Sequence, residues 1–320
     1  MGIVREVVLN SGERMPLLGM GTATYPVAPF ELVESSVIAA IELGYRHFDT
    51  ASVYETEQPL GLAISEAVRQ GLIASRDEIF ITTKLWCGHA HYDLVLPALR
   101  DSLETMGLDY VDLYLIHFPA RFNMKEKSLN VNKKDLLPLD IRGTWKAMEE
   151  CYELGLAKSI GVSNFSCKKL SQLLSVANIP PAVNQVEMHP LWQQQKLREF
   201  CEEKGIHVSA YSPLGGKGTI WGSNAVLDSD QIKQIAKAKG KSIAQICLRW
   251  GFEHGVSILP KSFNKERLKE NMEIFDWELS KEELQKMNTF PQNRIFQAEH
   301  LVSPDEGLFK SVADLWDGEI

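Results

Sequence analysis

The sequence predicts a (β/α)₈ TIM barrel, an α/β fold, on three observations. Short β-rich runs alternate with helical stretches almost from end to end, the helical stretches stop at glycines, and the glycine fingerprint of the competing open sheet is missing. Eight strand candidates follow in order: "LGMGTA" (18–23), "HFDTA" (47–51), "FITTKL" (80–85), "VDLYLIH" (111–117), "SIGVSN" (159–164), "AVNQVEM" (182–188), "HVSAYSP" (207–213) and "VSILPKS" (256–262). Each is short and rich in β-branched or aromatic residues. Between them, stretches such as "ELVESSVIAAIELG", "DLVLPALRDSLETMG", "GTWKAMEECYELG" and "KKLSQLLSVAN" carry helical periodicity. Gly44, Gly71, Gly107, Gly155 and Gly205 close the helices before the chain turns back into a strand. Eight such units in 320 residues suit the barrel. A doubly wound sheet would show G-x-G-x-x-G after its first strand, whereas "GMGTAT" has Gly19 and Gly21 but Thr24 in the third place. The opening "VVLNSGERMPLLG" reads as a hairpin around Ser11-Gly12, a lid over one barrel end. With no repeat and no linker, residues 1–320 are expected to form a single domain.

Composition narrows the classes of function. A hydrophobic content of 44% supplies a sizeable core, and a formal charge of −8 argues against nucleic-acid or anionic-membrane partners. No run has the length of a membrane span, and "MGIVREVVLN" lacks the apolar core of a secretory signal. Cys87, Cys151, Cys167, Cys201 and Cys247 are odd in number and form no C-x-x-C pair, which points to free thiols in a reducing compartment, by default the cytosol. Cys87, His89 and His91 cluster without metal-ligand spacing, so no metal is expected.

Strand spacing locates the working end. The intervals after the fourth and seventh strands run 48 and 49 residues, against 23 to 33 elsewhere. The extra chain at 118–140 and 214–227 therefore follows strands and belongs to the C-terminal mouth, where barrel enzymes keep their sites. With the tail from Phe290 to Ile320 it could wall a pocket.

Three successive strand ends carry the chemistry. The second ends at Asp49 with Tyr54 in its loop, the third presents Lys84, and the fourth presents His117. Adjacent strands lie about 5 Å apart, so the four groups can converge. Asp49 and Lys84 tolerate burial there only as a pair. A nearby ammonium is expected to lower the Tyr54 pKa and make it a better acid, while a neutral His117 donates to a substrate oxygen. Together they suit adding hydride to a carbonyl and protonating its oxygen. Each residue alone would pass as an ordinary loop or strand-end group.

The chain resembles the aldo-keto reductase family in "GYRHFDTASVYETE", "ITTKLW", "LDYVDLYLIHFP", "IGVSNF", "PAVNQVEMHP", "AYSPLG" and "ILPKSFNKERLKEN". It is similar in particular to the plant branch with codeinone, methylecgonone and polyketide (chalcone) reductases, galacturonate reductase and deoxymugineic acid synthase, through "KLWC", "HYDLVLPALRDSL", "AMEEC" and "NMEIFDWELS". The resemblance implies the barrel, a nicotinamide cofactor, and the tetrad Asp49, Tyr54, Lys84 and His117 with Tyr54 as general acid. Phe118 departs from the Trp that many relatives carry.

The resemblance also assigns a cofactor site. Ser163, Asn164 and Gln185 match nicotinamide-carboxamide positions, Tyr211 the ring stacked beneath the nicotinamide, Ser212 and Leu214 pyrophosphate contacts, and Gly21 and Thr22 the floor. Lys261, Ser262, Phe263, Asn264, Arg267, Glu270 and Asn271 match the adenosine-phosphate clamp. The residues themselves place two cations about a helix N-terminus, which favours a 2′-phosphate and so NADPH, although a solvated basic helix face would read the same. Trp86, His117, Phe118, Trp192 and Trp221 are candidates for the substrate wall. The expected activity is NADPH-dependent reduction of a small-molecule ketone or aldehyde by a monomer, with an alkaloid or polyketide ketone favoured. A sugar acid, an aldose or a mugineic-acid keto precursor stays open, with Arg121 and Lys125 as available cations. So does a non-catalytic, cofactor-sensing subunit.

Overall fold

The computed structural model describes residues 5–123, 133–219 and 222–320. A hairpin of β1 (Glu6–Val8) and β2 (Arg14–Pro16) comes first. The cylinder is built from β3 (Met20–Gly21), β4 (His47–Asp49), β5 (Phe80–Leu85), β6 (Leu113–Ile116), β9 (Ile160–Ser163), β10 (Val183–Glu187), β11 (His207–Tyr211) and β12 (Ser257–Leu259). They pair in parallel in chain order, and Leu18 bridges Ile258 to join the two ends of the sheet. All eight expected strands are therefore present, each inside its predicted run.

Helices return the chain between strands. The five glycines read as helix stops all have positive φ, from 66° to 104°, a region that only glycine enters without steric cost. Gly61 has a different reason: a Cβ there would come within 2.0 Å of the Met106 carbonyl, so helix Glu57–Arg69 can lie close to helix Tyr92–Met106 only with glycine at that position.

The hairpin plugs the N-terminal end. Leu9 and Met15 pack against Phe80, Leu113 and Val183, the first residues of β5, β6 and β10, and Asn10 Nδ2 donates to the Pro181 carbonyl at 3.0 Å. At the opposite end stand the described parts of the two predicted insertions, together with the tail. Within the first insertion β7 (Ala120–Phe122) pairs antiparallel with β8 (Leu136–Pro138), a small sheet that the sequence does not reveal because neither "ARF" nor "LLP" contains a β-branched residue. Among the described residues, no helix is long and apolar enough to cross a membrane, no acid–thiol–imidazole cluster could hold a metal ion, and the five cysteines are free and buried.

Candidate active site

Parallel pairing sets Asp49 beside Thr82 on β5, and Lys84 beside Leu115 on β6. Lys84 Nζ donates to Asp49 Oδ1 at 2.6 Å and to the Thr50 carbonyl at 2.9 Å, and both side chains are nearly inaccessible. Gln185 Nε2 satisfies the other carboxylate oxygen at 2.7 Å. The Lys84 ammonium stands 4.9 Å from the centre of the Tyr54 ring, and the Tyr54 hydroxyl lies 3.1 Å from His117 Nε2. The structure thus brings together all four predicted residues.

Electrostatics sets their protonation. Burial, and next the Lys84 charge, hold the His117 pKa well below the usual histidine range, so the ring is neutral near pH 7. Burial also lowers the Lys84 pKa, opposed by the charge and hydrogen bond of Asp49. Tyr54 departs from expectation: burial, and then the Asp49 charge, raise its pKa well above 10. The ammonium lies over the ring, and its partner carboxylate pushes the Tyr54 pKa upward. Tyr54 therefore keeps its proton through the neutral range.

Next to this group, polar side chains from β9 to β11 are bonded to one another. Asn164, in the left-handed region with φ 65°, donates through Nδ2 to the His117 carbonyl at 3.0 Å and accepts the Tyr211 hydroxyl at 2.8 Å. Ser163 Oγ donates to the Gln185 carbonyl at 2.8 Å. Thr22 is wholly buried with its hydroxyl turned into protein, and Gly21 abuts the β12 end, where a Cβ would lie 3.4 Å from the Leu259 carbonyl. Ser212 has φ 48° and its Oγ would lie 3.3 Å from a Cβ on Gly216, while Leu214 packs on the main core.

The basic end follows β12. Asn264 caps helix Lys265–Met272, its Oδ1 accepting the Arg267 N–H at 3.0 Å, and Ser262 Oγ accepts the Asn264 N–H at 3.1 Å. Partial burial, then the Arg267 charge, hold the Lys261 pKa below the usual lysine range, and neither cation has an acidic partner among the described residues. Phe263 lies 5.5 Å from Lys261 Nζ. Two cations close enough to oppose each other's charge at a helix N-terminus suit a phosphate. Asn271 instead turns inward, buried against the Tyr45 hydroxyl, and Glu270 is half-buried.

A second apolar cluster lies beside the tetrad, at the place where a substrate wall was expected. Trp86 meets His117 edge-on at 5.3 Å, and Phe118 meets Trp316 at 5.7 Å. Phe122, Leu301 and Leu315 complete the cluster, with Tyr54, Phe296 and Phe309 at its edge. The tail is fastened where Glu187 accepts the Ile295 and Phe296 N–H groups, both at 2.9 Å. Asp317 accepts from Ser166 at 2.6 Å and pairs with Lys169.

A family model described as "Aldo/keto reductase family" matches residues 17–290. This chain belongs to the aldo/keto reductase family. It is 57% identical over 318 residues to the 7-acetyl-epi-neemfruitin B aldo-keto reductase of Melia azedarach, covering 99% of this chain and 98% of the relative. It is 54% identical to deoxymugineic acid synthase 1 of Zea mays, covering 96% and 97%. Among solved structures, an aldo-keto reductase of Bombyx mori in complex with NADP superposes with a TM-score of 0.83 at 37% identity, covering 94% and 97%.

Within this aldo/keto reductase, sequence reasoning named only part of the wall. Trp316 and Phe296 carry no local mark of a tail residue that reaches back to the mouth, and Phe122 sits on the short strand β7 of the first insertion. Trp192 was expected in the wall, but Arg294 lies between it and Trp316, its guanidinium 4.9 Å and 3.7 Å from the two rings. Trp192 therefore backs a stacked arginine. Trp221 lies outside the described residues.

Proposed function

We propose that this aldo/keto reductase is an NADPH-dependent carbonyl reductase whose substrate is a bulky, largely apolar ketone or aldehyde of plant specialised metabolism. The observation that carries the reading is the Tyr54–His117 pair, 3.1 Å apart, standing against the buried Lys84–Asp49 ion pair and beneath the aromatic wall. The bound nicotinamide supplies the hydride. Neutral His117 can donate through Nε2 to the carbonyl oxygen and orient it. Tyr54, still protonated, gives its proton to the oxygen as negative charge develops there. Lys84, held charged by Asp49 and by the Thr50 carbonyl, then stabilises the phenolate left behind. Asp49 in turn is fixed by Gln185.

Lys261 and Arg267 fit a 2′-phosphate by charge and by lacking acidic partners among the described residues, and the Bombyx mori relative bound to NADP supports the same cofactor. Replacing Arg267 with Ala is expected to weaken NADPH about tenfold or more while leaving NADH nearly unchanged, since a charge-assisted bond to phosphate contributes about 1.5–3 kcal/mol. Fluorescence titration with both cofactors measures this. Equal weakening of both would remove the phosphate role.

The wall supports an apolar substrate. Arg121 would be the natural partner of an acid, but Phe122 on the same short strand joins the wall, so Arg121 points away, toward His91 at 3.4 Å. Lys125 lies outside the described residues. The Melia azedarach relative, named for an acetylated compound, supports a bulky substrate, whereas the Zea mays relative keeps a mugineic-acid precursor as the second reading. NADPH consumption with terpenoid, alkaloid and polyketide ketones, sugar acids and mugineic-acid keto precursors separates them. Binding of NADPH without turnover of any carbonyl would favour the sensing subunit. Trp316→Ala is expected to raise KM about tenfold for a bulky ketone and hardly at all for a small aldehyde, because the truncated ring removes wall and not chemistry.

A further inference from the structure

Three buried threonine hydroxyls join the loops that carry the tetrad. Thr22 Oγ1 donates to the Asp49 carbonyl at 3.0 Å. The same oxygen lies 2.7 Å from Thr56 Oγ1, which lies 2.8 Å from Thr50 Oγ1. Each hydroxyl has one proton, and that of Thr22 is committed to a carbonyl, which cannot donate. Thr56 must then donate to Thr22, and Thr50 to Thr56. The chain runs in one direction, Thr50 to Thr56 to Thr22 to Asp49, and all three threonines are 0% exposed.

Thr56 is the middle link and sits two residues beyond Tyr54. It is the N-cap of helix Glu57–Arg69, yet its side chain makes no capping bond. The usual acceptor role is to the N–H of the second or third helical residue, and the third here is Pro59, which has none. The hydroxyl is thus spent on the strand ends and not on the helix. Thr50, the other end of the chain, accepts Lys84 Nζ on its carbonyl, so both bonds converge on one residue beside Asp49. The next residue after the link, Glu57, is buried, accepts the Thr83 hydroxyl at 2.6 Å, and its charge favours the ammonium of Lys84. The turn Ser52–Tyr54 between these anchors has Glu55 at φ 59° after it, a backbone bond from the Tyr54 N–H to the Ala51 carbonyl at 2.9 Å, and the Ser52 hydroxyl donating to the Lys84 carbonyl at 3.4 Å.

We propose that Thr56 is a positioning residue for the reaction, setting the Tyr54 hydroxyl against Lys84 and His117 by tying its turn to the ends of β3 and β4. The inference rests on the reading of Tyr54 as the acid. Thr56→Val keeps the shape and removes the hydroxyl, whereas Thr56→Ser restores it. With 4-nitrobenzaldehyde as probe, Thr56→Val is expected to lower kcat about tenfold, since misplacement by a fraction of an ångström is enough to cost that much. KM for the aldehyde and the NADPH dissociation constant should stay within about twofold, because the hydroxyl is wholly buried and spent on Thr22 and Thr50. Thr56→Ser should return most of kcat. Thr50→Ala cuts the chain at its other end and should lower kcat similarly, which keeps the test available if Thr56→Val does not fold. A folded Thr56→Val, or failing that Thr50→Ala, with wild-type kcat overturns the proposal, as does an equal loss of kcat and NADPH affinity without rescue by serine. Tyr54→Phe measured alongside separates the two readings: if it stays active, the acid assignment falls and this proposal with it, whereas an inactive Tyr54→Phe beside a normal Thr56→Val defeats the positioning role alone.

Discussion

Tyr54→Phe is expected to lower kcat by about a hundredfold or more, the range in which a positioned proton donor contributes. The change removes one oxygen from a half-buried ring and leaves the ion pair beneath it intact. His117 loses a partner at 3.1 Å, a loss of about 1 kcal/mol in stability, so the variant should fold. NADPH affinity should hold, because the cations proposed for its phosphate are on another strand end. Steady-state kinetics with NADPH titration checks both. The pH profile gives an independent reading. Tyr54 titrates well above 10 and His117 well below 6.5, so neither should impose a break in kcat between about pH 6 and about pH 8. Raising pH through the ordinary tyrosine range should not yet strip the acid of its proton. A kcat that survives Tyr54→Phe would transfer the proton to another donor.

The second large effect concerns Lys84. Lys84→Met leaves the Asp49 carboxylate buried with only Gln185 on one oxygen, and a stranded buried charge typically costs about 3–5 kcal/mol. Urea unfolding should show that loss, and kcat should fall with it. The pair Lys84→Met with Asp49→Asn removes the stranded charge and should recover much of the stability. Activity should not return, because nothing then stabilises a phenolate at Tyr54. Recovery of both together would reduce the ion pair to a structural role.

Much of this was legible because it repeats or sits beside regular strands. The eight runs declared themselves by composition and by glycine stops, and Asp49, Lys84 and His117 each stand at a strand end whose position the spacing fixed. What stayed hidden was set by contacts distant in sequence. The strands β7 and β8 contain no β-branched residue and pair only with each other, and Trp316 reaches Phe118 across almost 200 residues. The sign of the Tyr54 shift depended on the depth of burial and on the nearness of the Asp49 charge, neither of which a one-dimensional pattern contains. Asn271 shows the same limit: its place in the run before the tail was clear, but whether it turned to the surface or against Tyr45 was not.

The tail is held to the cylinder along its length, by Glu187 at its start, by Lys133 at the Val302 carbonyl, and by Ser166, Cys167 and Lys169 at its close. Between those pins the tail supplies Leu301, Leu315 and Trp316 to the apolar cluster, whereas Asp49, Lys84 and His117 come from strand ends. On the function proposed above, what enters and what reacts are thus set by different stretches of the chain. Relatives more than half identical along nearly their whole length, yet named for compounds as different as a mugineic acid and an acetylated neemfruitin, are the kind of descendants such a division of labour leaves.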